Sequence, residues 1–114
     1  MNKTNFTEEE KLLFIKSGDE KLCEHVFELS RKECEIRQIT MTPVQQVALL
    51  SHLSAMVYRS ITKERLAAID RSLFSEISQE SFGIAKKVKE ALEHLDEDEI
   101  YLLSIHFEIA KHNS

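Results

Sequence analysis

Two histidines lie inside strongly apolar helical sequence. One is His52, in Ser51-His52-Leu53-Ser54-Ala55-Met56-Val57-Tyr58-Arg59. The other is His106, in Asp98-Glu99-Ile100-Tyr101-Leu102-Leu103-Ser104-Ile105-His106-Phe107. Imidazole is a nucleophile, a base and a ligand, and water-poor surroundings tune all three roles. At about 100° per residue, Gln45, His52 and Arg59 line up as one narrow polar stripe on an otherwise greasy helix. Glu99 lies two turns before His106 on nearly the same line. Two readings of each ring stand side by side. In the first, the ring is a structural group hydrogen-bonded across a helical bundle. In the second, it is a reactive group, a nucleophile, base or ligand, sharing its strip with a cation in the case of His52 and Arg59. Glu99 could then accept the N–H of His106 and leave its other nitrogen free to react. Glu99 also reads simply as a charge favoured at a helix start.

Other chemistries fit poorly. His25, His94, His106, His112, Cys23 and Cys34 show no paired spacing such as Cys-x-x-Cys or His-x-x-x-His, so no metal site is expected. Glycine-rich phosphate loops, nucleophile motifs and local triad signatures are absent, so no catalytic residue and no cofactor is assigned. The net charge of −5 and the lack of a Lys/Arg block argue against direct nucleic-acid binding. The longest greasy run, Val47 to Tyr58, is interrupted by serines and His52 and falls short of the roughly 20 residues a bilayer span needs. With the polar start Met1-Asn2-Lys3-Thr4-Asn5, this predicts a cytoplasmic chain without signal peptide or membrane anchor. Cys23 and Cys34, on one helix, would lie about 16 Å apart on the same face, too far for a mutual disulfide. They read as reduced, core-facing thiols.

The elements that must position the histidines follow from pattern and punctuation. A chain of 114 residues with two glycines and one proline builds few turns, which predicts long helices joined by short polar links. Thr7-Glu8-Glu9-Glu10 is a capping box opening a short helix, broken at Ser17-Gly18-Asp19-Glu20. An amphipathic helix follows, with Leu22, Cys23, Val26, Phe27, Leu29, Ser30 and Cys34 on its apolar face and Glu24, His25, Glu28, Arg31 and Lys32 outside. Thr42-Pro43 starts the apolar helix that carries His52 and runs to about Ile61. Thr62 to Ile77 reads as one or two shorter helical pieces. Ser78 or Ser81 starts another helix, with Phe82, Ala85, Val88, Leu92 and Leu95 inward and Gly83 at a close helix contact. The last helix begins in Asp96-Glu97-Asp98-Glu99, with Asp96 and Glu99 as a capping pair, and runs to about His112. Its solvent face is expected to carry Glu97, Ser104, Glu108 and Lys111.

This order, together with Phe82-Gly83-Ile84-Ala85 and the final acidic-apolar-His106-Phe107 segment, resembles a PTS regulation domain (PRD). Such domains are the regulatory modules of transcriptional antiterminators and activators under the bacterial sugar phosphotransferase system. The resemblance covers roughly Asp19 to Asn113. It implies an all-α fold, a compact bundle of about five helices, in a single domain over 19–114 with a short N-terminal helical extension over 1–18. It also implies a homodimer, with His52 and His106 as phosphorylation sites for HPr or an enzyme IIB component, and Arg59, Lys63 or Arg65 would answer the phosphoryl charge of about −2. Two departures stand out: Ser51 replaces the acid that often precedes the first histidine, and one module is present where most members carry two. The expected function is a free-standing regulatory domain that responds to histidine phosphorylation. It would act through association with itself or with a regulator protein in transcriptional control. The rivals are a constitutive interaction module with structural histidines, and a small phosphocarrier.

Overall fold

The computed structural model describes residues 6–113 of the chain; the polar start Met1–Asn5 and Ser114 lie outside them. Five α-helices and one 3-10 turn make up the regular structure among these residues, with no strand. They are α1 (Glu8–Lys16), α2 (Glu20–Ile36), α3 (Pro43–Thr62), α4 (Gln79–Glu90) and α5 (Asp98–Lys111), with the turn at Arg71–Phe74 before α4.

Helix starts obey their local chemistry. Thr7 and Glu10 exchange capping bonds of 3.1 and 2.9 Å, and Thr42 and Gln45 repeat the motif with Pro43 at the first helical position. Asp19 and Ser78 cap α2 and α4. Between α1 and α2, Gly18 takes φ +86°, and a Cβ there would meet Ile61 Cδ1 at 3.3 Å, so the link needs glycine on both counts. Helix α2 stops without one. Gln38 adopts φ 59°, and the N–H groups of Gln38 and Ile39 donate back to the carbonyls of Glu35 and Cys34, while Ile39 packs into the core.

The core lies where α3 meets α1, α2 and α5, backed by α4. Phe14, Phe27, Leu49, Leu50, Leu53, Met56, Leu103 and Phe107 are fully buried there. Helix α1, read from sequence as an extension, is part of this core: Phe14 packs edge-on to Phe27 with centroids 6.0 Å apart, and the Ser54 hydroxyl donates to the Leu13 carbonyl at 2.6 Å. Cys23 and Cys34 are both buried and unpaired, and burial pushes each thiol up to about 11. His25 is exposed.

Four local expectations differ from the structure. Past Thr62, which is the last residue of α3, the stretch to Ile77 holds only the 3-10 turn. Lys63 ends α3 in the left-handed conformation, and the apolar residues after it lack a common face to bury, Leu66 and Ile69 being half-buried and Leu73 exposed. Ion pairs from Arg65 to Asp96 and from Arg71 to Asp98 (2.8 Å) hold this segment against the start of α5. Pairing with arginines also explains the second difference. Asp96 and Glu99 make no side-chain cap, because both carboxylates are engaged by arginines elsewhere in the fold. Third, Gly83 marks no close contact: a Cβ there would meet nothing within 4 Å. Fourth, Ser104 is buried and Glu108 is turned inward, because α4 packs along that side of α5.

Glu108 in fact works as a tertiary cap for α4. One carboxylate oxygen accepts from the Ser78 hydroxyl (2.7 Å), the Ser78 backbone N–H (3.1 Å) and the Ser81 hydroxyl (2.8 Å), and His112 lies 3.1 Å from the other. Donation led by Ser78 holds the Glu108 carboxyl down at about 2. Glu108→Ala is expected to lower unfolding stability by about 1–3 kcal/mol, the usual consequence of leaving part-buried donors without an acceptor. Urea denaturation at pH 7 measures this, and a loss below about 0.5 kcal/mol contradicts it.

Candidate functional site

Helices α3 and α5 run antiparallel, and their polar residues repeat at seven-residue spacing on both. Gln45, His52 and Arg59 lie along α3; Glu99 and His106 lie along α5, with Asn113 just past its end. Seven residues are close to two full turns, so each set keeps to one side of its helix. Antiparallel packing pairs the two sets in reverse order as three polar rungs. Gln45 and Asn113 exchange amide hydrogen bonds of 3.2 and 2.6 Å. His52 Nδ1 meets His106 Nε2 at 3.0 Å, with the rings edge-to-face and centroids 5.0 Å apart. Arg59 holds Glu99 through two parallel bonds, Nε to Oε2 at 2.7 Å and a terminal guanidinium nitrogen to Oε1 at 2.8 Å.

The seam around these rungs is largely dry. Leu53, Met56, Leu103 and Phe107 are fully buried beside it, and Glu99 is only 1% exposed. Both imidazoles are half-buried. Burial drives His52 down to about 4, with His106 and Arg59 adding to the effect, and burial also lowers His106. Both rings are therefore neutral at pH 7, and in the bond between them one nitrogen donates while the other accepts.

Every site residue named from sequence lies in this seam, although two have different partners from those expected. Glu99 does not orient His106; both its oxygens are taken by Arg59. His106 is oriented by His52 instead. Of the other cations considered for a phosphate, Arg65 pairs with Asp96 and Lys63 forms the left-handed end of α3. The residue that sequence reading missed is Asn113, and its signal is the spacing from Glu99 to His106 to Asn113, which repeats that of Gln45, His52 and Arg59. Among the described residues no three His, Cys, Asp or Glu side chains converge to hold a metal ion. Nor is any helix among them long and apolar enough to cross a membrane.

Comparison with known proteins places this architecture. The family model for the PRD domain matches residues 24–110. The chain belongs to the PRD family. A PRD-containing transcription regulator from Lactobacillus casei ATCC 334, known from a crystal structure, is 34% identical, and the match covers 94% of this chain and 96% of that one with a TM-score of 0.86. A search of curated proteins finds no match. The helical bundle is thus a PRD fold, and the polar ladder described above is the α3–α5 seam of this PRD.

Proposed function

We propose that this PRD is a regulatory domain whose state is set by phosphorylation in the histidine seam by a phosphotransferase-system donor, HPr or an enzyme IIB component. Its output is a change in association, with a second copy of itself or with a regulator protein, in the control of transcription. The observation that carries this reading is the contact between His52 and His106. Two neutral imidazoles share one hydrogen bond at 3.0 Å in a largely apolar seam, next to a guanidinium. A neutral imidazole has the lone pair that a phosphoacceptor needs.

The seam also supplies a means of response. A phosphoryl group brings a charge of about −2. Arg59 is the cation on the same stripe, but it already holds Glu99. Drawing Arg59 to the phosphate leaves the Glu99 carboxylate buried without its partner, which is strongly unfavourable. Leaving Arg59 in place withholds its charge from the new dianion. Either way the α3–α5 packing is no longer fully satisfied, and the helices must shift or present a different surface.

Incubation with phosphoenolpyruvate, enzyme I and HPr, or with a phosphorylated enzyme IIB, is expected to give an acid-labile mass gain. The gain should be absent from the His52→Ala/His106→Ala double variant, and light scattering should report a changed oligomeric state. One observation favours a second reading, in which the domain is a constitutive interaction module. The His–His bond satisfies a buried polar nitrogen on each ring, as a purely structural pair would. Under that reading no mass is gained, and a partner is retained equally by wild type and variant.

A further inference from the structure

The two imidazoles do not meet symmetrically. His106 reaches across with Nε2, at the tip of its ring, and meets Nδ1 of His52, the nitrogen nearer its own Cβ. The nitrogens left over therefore differ in their place on the ring. His52 keeps its tip nitrogen, Nε2, whereas His106 keeps Nδ1, at the base of its ring. An incoming donor reaches a ring tip more readily than a ring base. We infer that His52 and His106 act as one unit, in which His52 Nε2 takes the phosphoryl group and His106 Nε2 takes the proton from His52 Nδ1. This deepens the phosphorylation reading above and rests on it.

The chemistry follows from the tautomers. A neutral imidazole attacks through its lone-pair nitrogen and carries its proton on the other. For His52 to attack through Nε2, its proton must sit on Nδ1, and His106 Nε2 must be the acceptor. The 3.0 Å contact accommodates that arrangement, with His106 in the place a carboxylate takes beside a catalytic histidine. In the step, a bond forms between phosphorus and His52 Nε2 while the phosphorus–nitrogen bond of a donor phosphohistidine breaks. The electron pair of the broken bond stays on the donor imidazole, which keeps the proton on its other nitrogen and leaves neutral. His52 becomes an N-phosphorylated imidazolium, and its Nδ1 proton passes to His106 Nε2.

His106 is therefore a positioning residue. Its cationic ring then sits beside the new dianion, and both of its nitrogens carry protons. While His106 holds that proton it offers no lone pair to a second phosphoryl group, so the pair carries one at a time.

The test uses the whole chain with 15N-labelled histidines. Ring-nitrogen NMR spectra before phosphorylation should show His52 protonated on Nδ1 and His106 with its lone pair on Nε2. After incubation with phosphoenolpyruvate, enzyme I and HPr or enzyme IIB, intact mass should stop at one phosphoryl group, and peptide mapping should put it on His52. His106→Ala should slow labelling of His52 by about tenfold or more. His106→Gln, whose amide oxygen can accept the Nδ1 proton bond without taking the proton, should recover part of that rate. Should His106→Ala not fold, the glutamine variant and the ring-nitrogen spectra carry the test. The opposite tautomers, label on His106, two groups per chain, or unchanged labelling in both variants overturns the inference and leaves the phosphorylation reading standing. Absence of any label from the wild type overturns both.

Discussion

Arg59→Ala is expected to remove about 3–5 kcal/mol of folding stability, the usual consequence of leaving a buried charge without its partner. The size follows from where the partner sits. Glu99 is 1% exposed and receives both of its short hydrogen bonds from this one guanidinium, whose own side chain is 16% exposed. A bidentate pair fixes distance and angle together, so neither water nor a lysine reproduces it. Against a total of about 5–15 kcal/mol for a domain of this size, the loss is enough to unfold a substantial population near 37 °C. The control is the double variant Arg59→Met/Glu99→Leu, which removes both charges and fills the space with apolar atoms. It should be far more stable than Arg59→Ala, because the deficit lies in the orphaned carboxylate rather than in the lost attraction. Chemical denaturation of the three proteins decides the matter. A double variant as unstable as Arg59→Ala would show that packing, not charge, sets the effect.

Mild acid is expected to produce the second large effect. The folded His52 ring takes a proton only near pH 4, against about 6.5 for an ordinary histidine, because it is buried and faces His106 and Arg59. Above about pH 6.5 neither the folded nor the unfolded ring is charged, so the full stability is present. As pH falls through 6.5 toward 4, the unfolded chain binds a proton that the folded one refuses, and stability declines across that window. The gap corresponds to about 3 kcal/mol for His52. His106, lowered by burial, adds loss of the same sign. Glu108 contributes in a more acid range, since its depressed carboxyl gives stability that is present above its ordinary value of 4.5 and fades toward about pH 2. Urea denaturation at half-unit intervals from pH 7.5 to 5 isolates the histidines. A steady fall in wild type and a flatter profile in His52→Gln are expected; a flat wild-type profile would show that the seam does not exclude charge.

The same arithmetic bears on phosphorylation. Two dianions about 8 Å apart at an effective dielectric of about 20 repel by roughly 8 kcal/mol, which is comparable to the whole stability of a domain, about 5–15 kcal/mol. Two simultaneous phosphoryl groups in one seam are opposed on electrostatic grounds as well as by the tautomer chemistry of His106.

How much of this was legible beforehand depends on the range of the interactions involved. Capping residues and apolar periodicity act within a turn or two, and they located α1, α2 and α3 from Thr7, the Ser17–Glu20 break and Thr42-Pro43, and narrowed the start of α4 to Ser78 or Ser81, of which Ser78 is the cap. The stripe of Gln45, His52 and Arg59 was equally legible, because it depends only on helical spacing. Where local signals competed with distant partners, local reading failed. Asp96 and Glu99 looked like a capping pair, yet Arg65 and Arg59 claim them from other elements. Ser104 and Glu108 looked like solvent residues, yet α4 covers one and Ser78 and Ser81 engage the other. Residues 63–70 carried apolar side chains, yet no partner face remained for a helix there to bury.

The sequence by itself determined that the protein is helical and that each histidine lies on a polar line along a greasy helix, since helix period and capping are properties of neighbouring residues. Only the tertiary structure decided that the two lines face each other. Antiparallel packing of α3 on α5 puts His52 opposite His106 and Arg59 opposite Glu99, because reversing one helix reverses the order of its seven-residue repeat. That pairing, and not either histidine alone, fixes which ring nitrogen is free and which carboxylate is bound, and these depend on through-space distance between residues 54 and 40 positions apart in the chain.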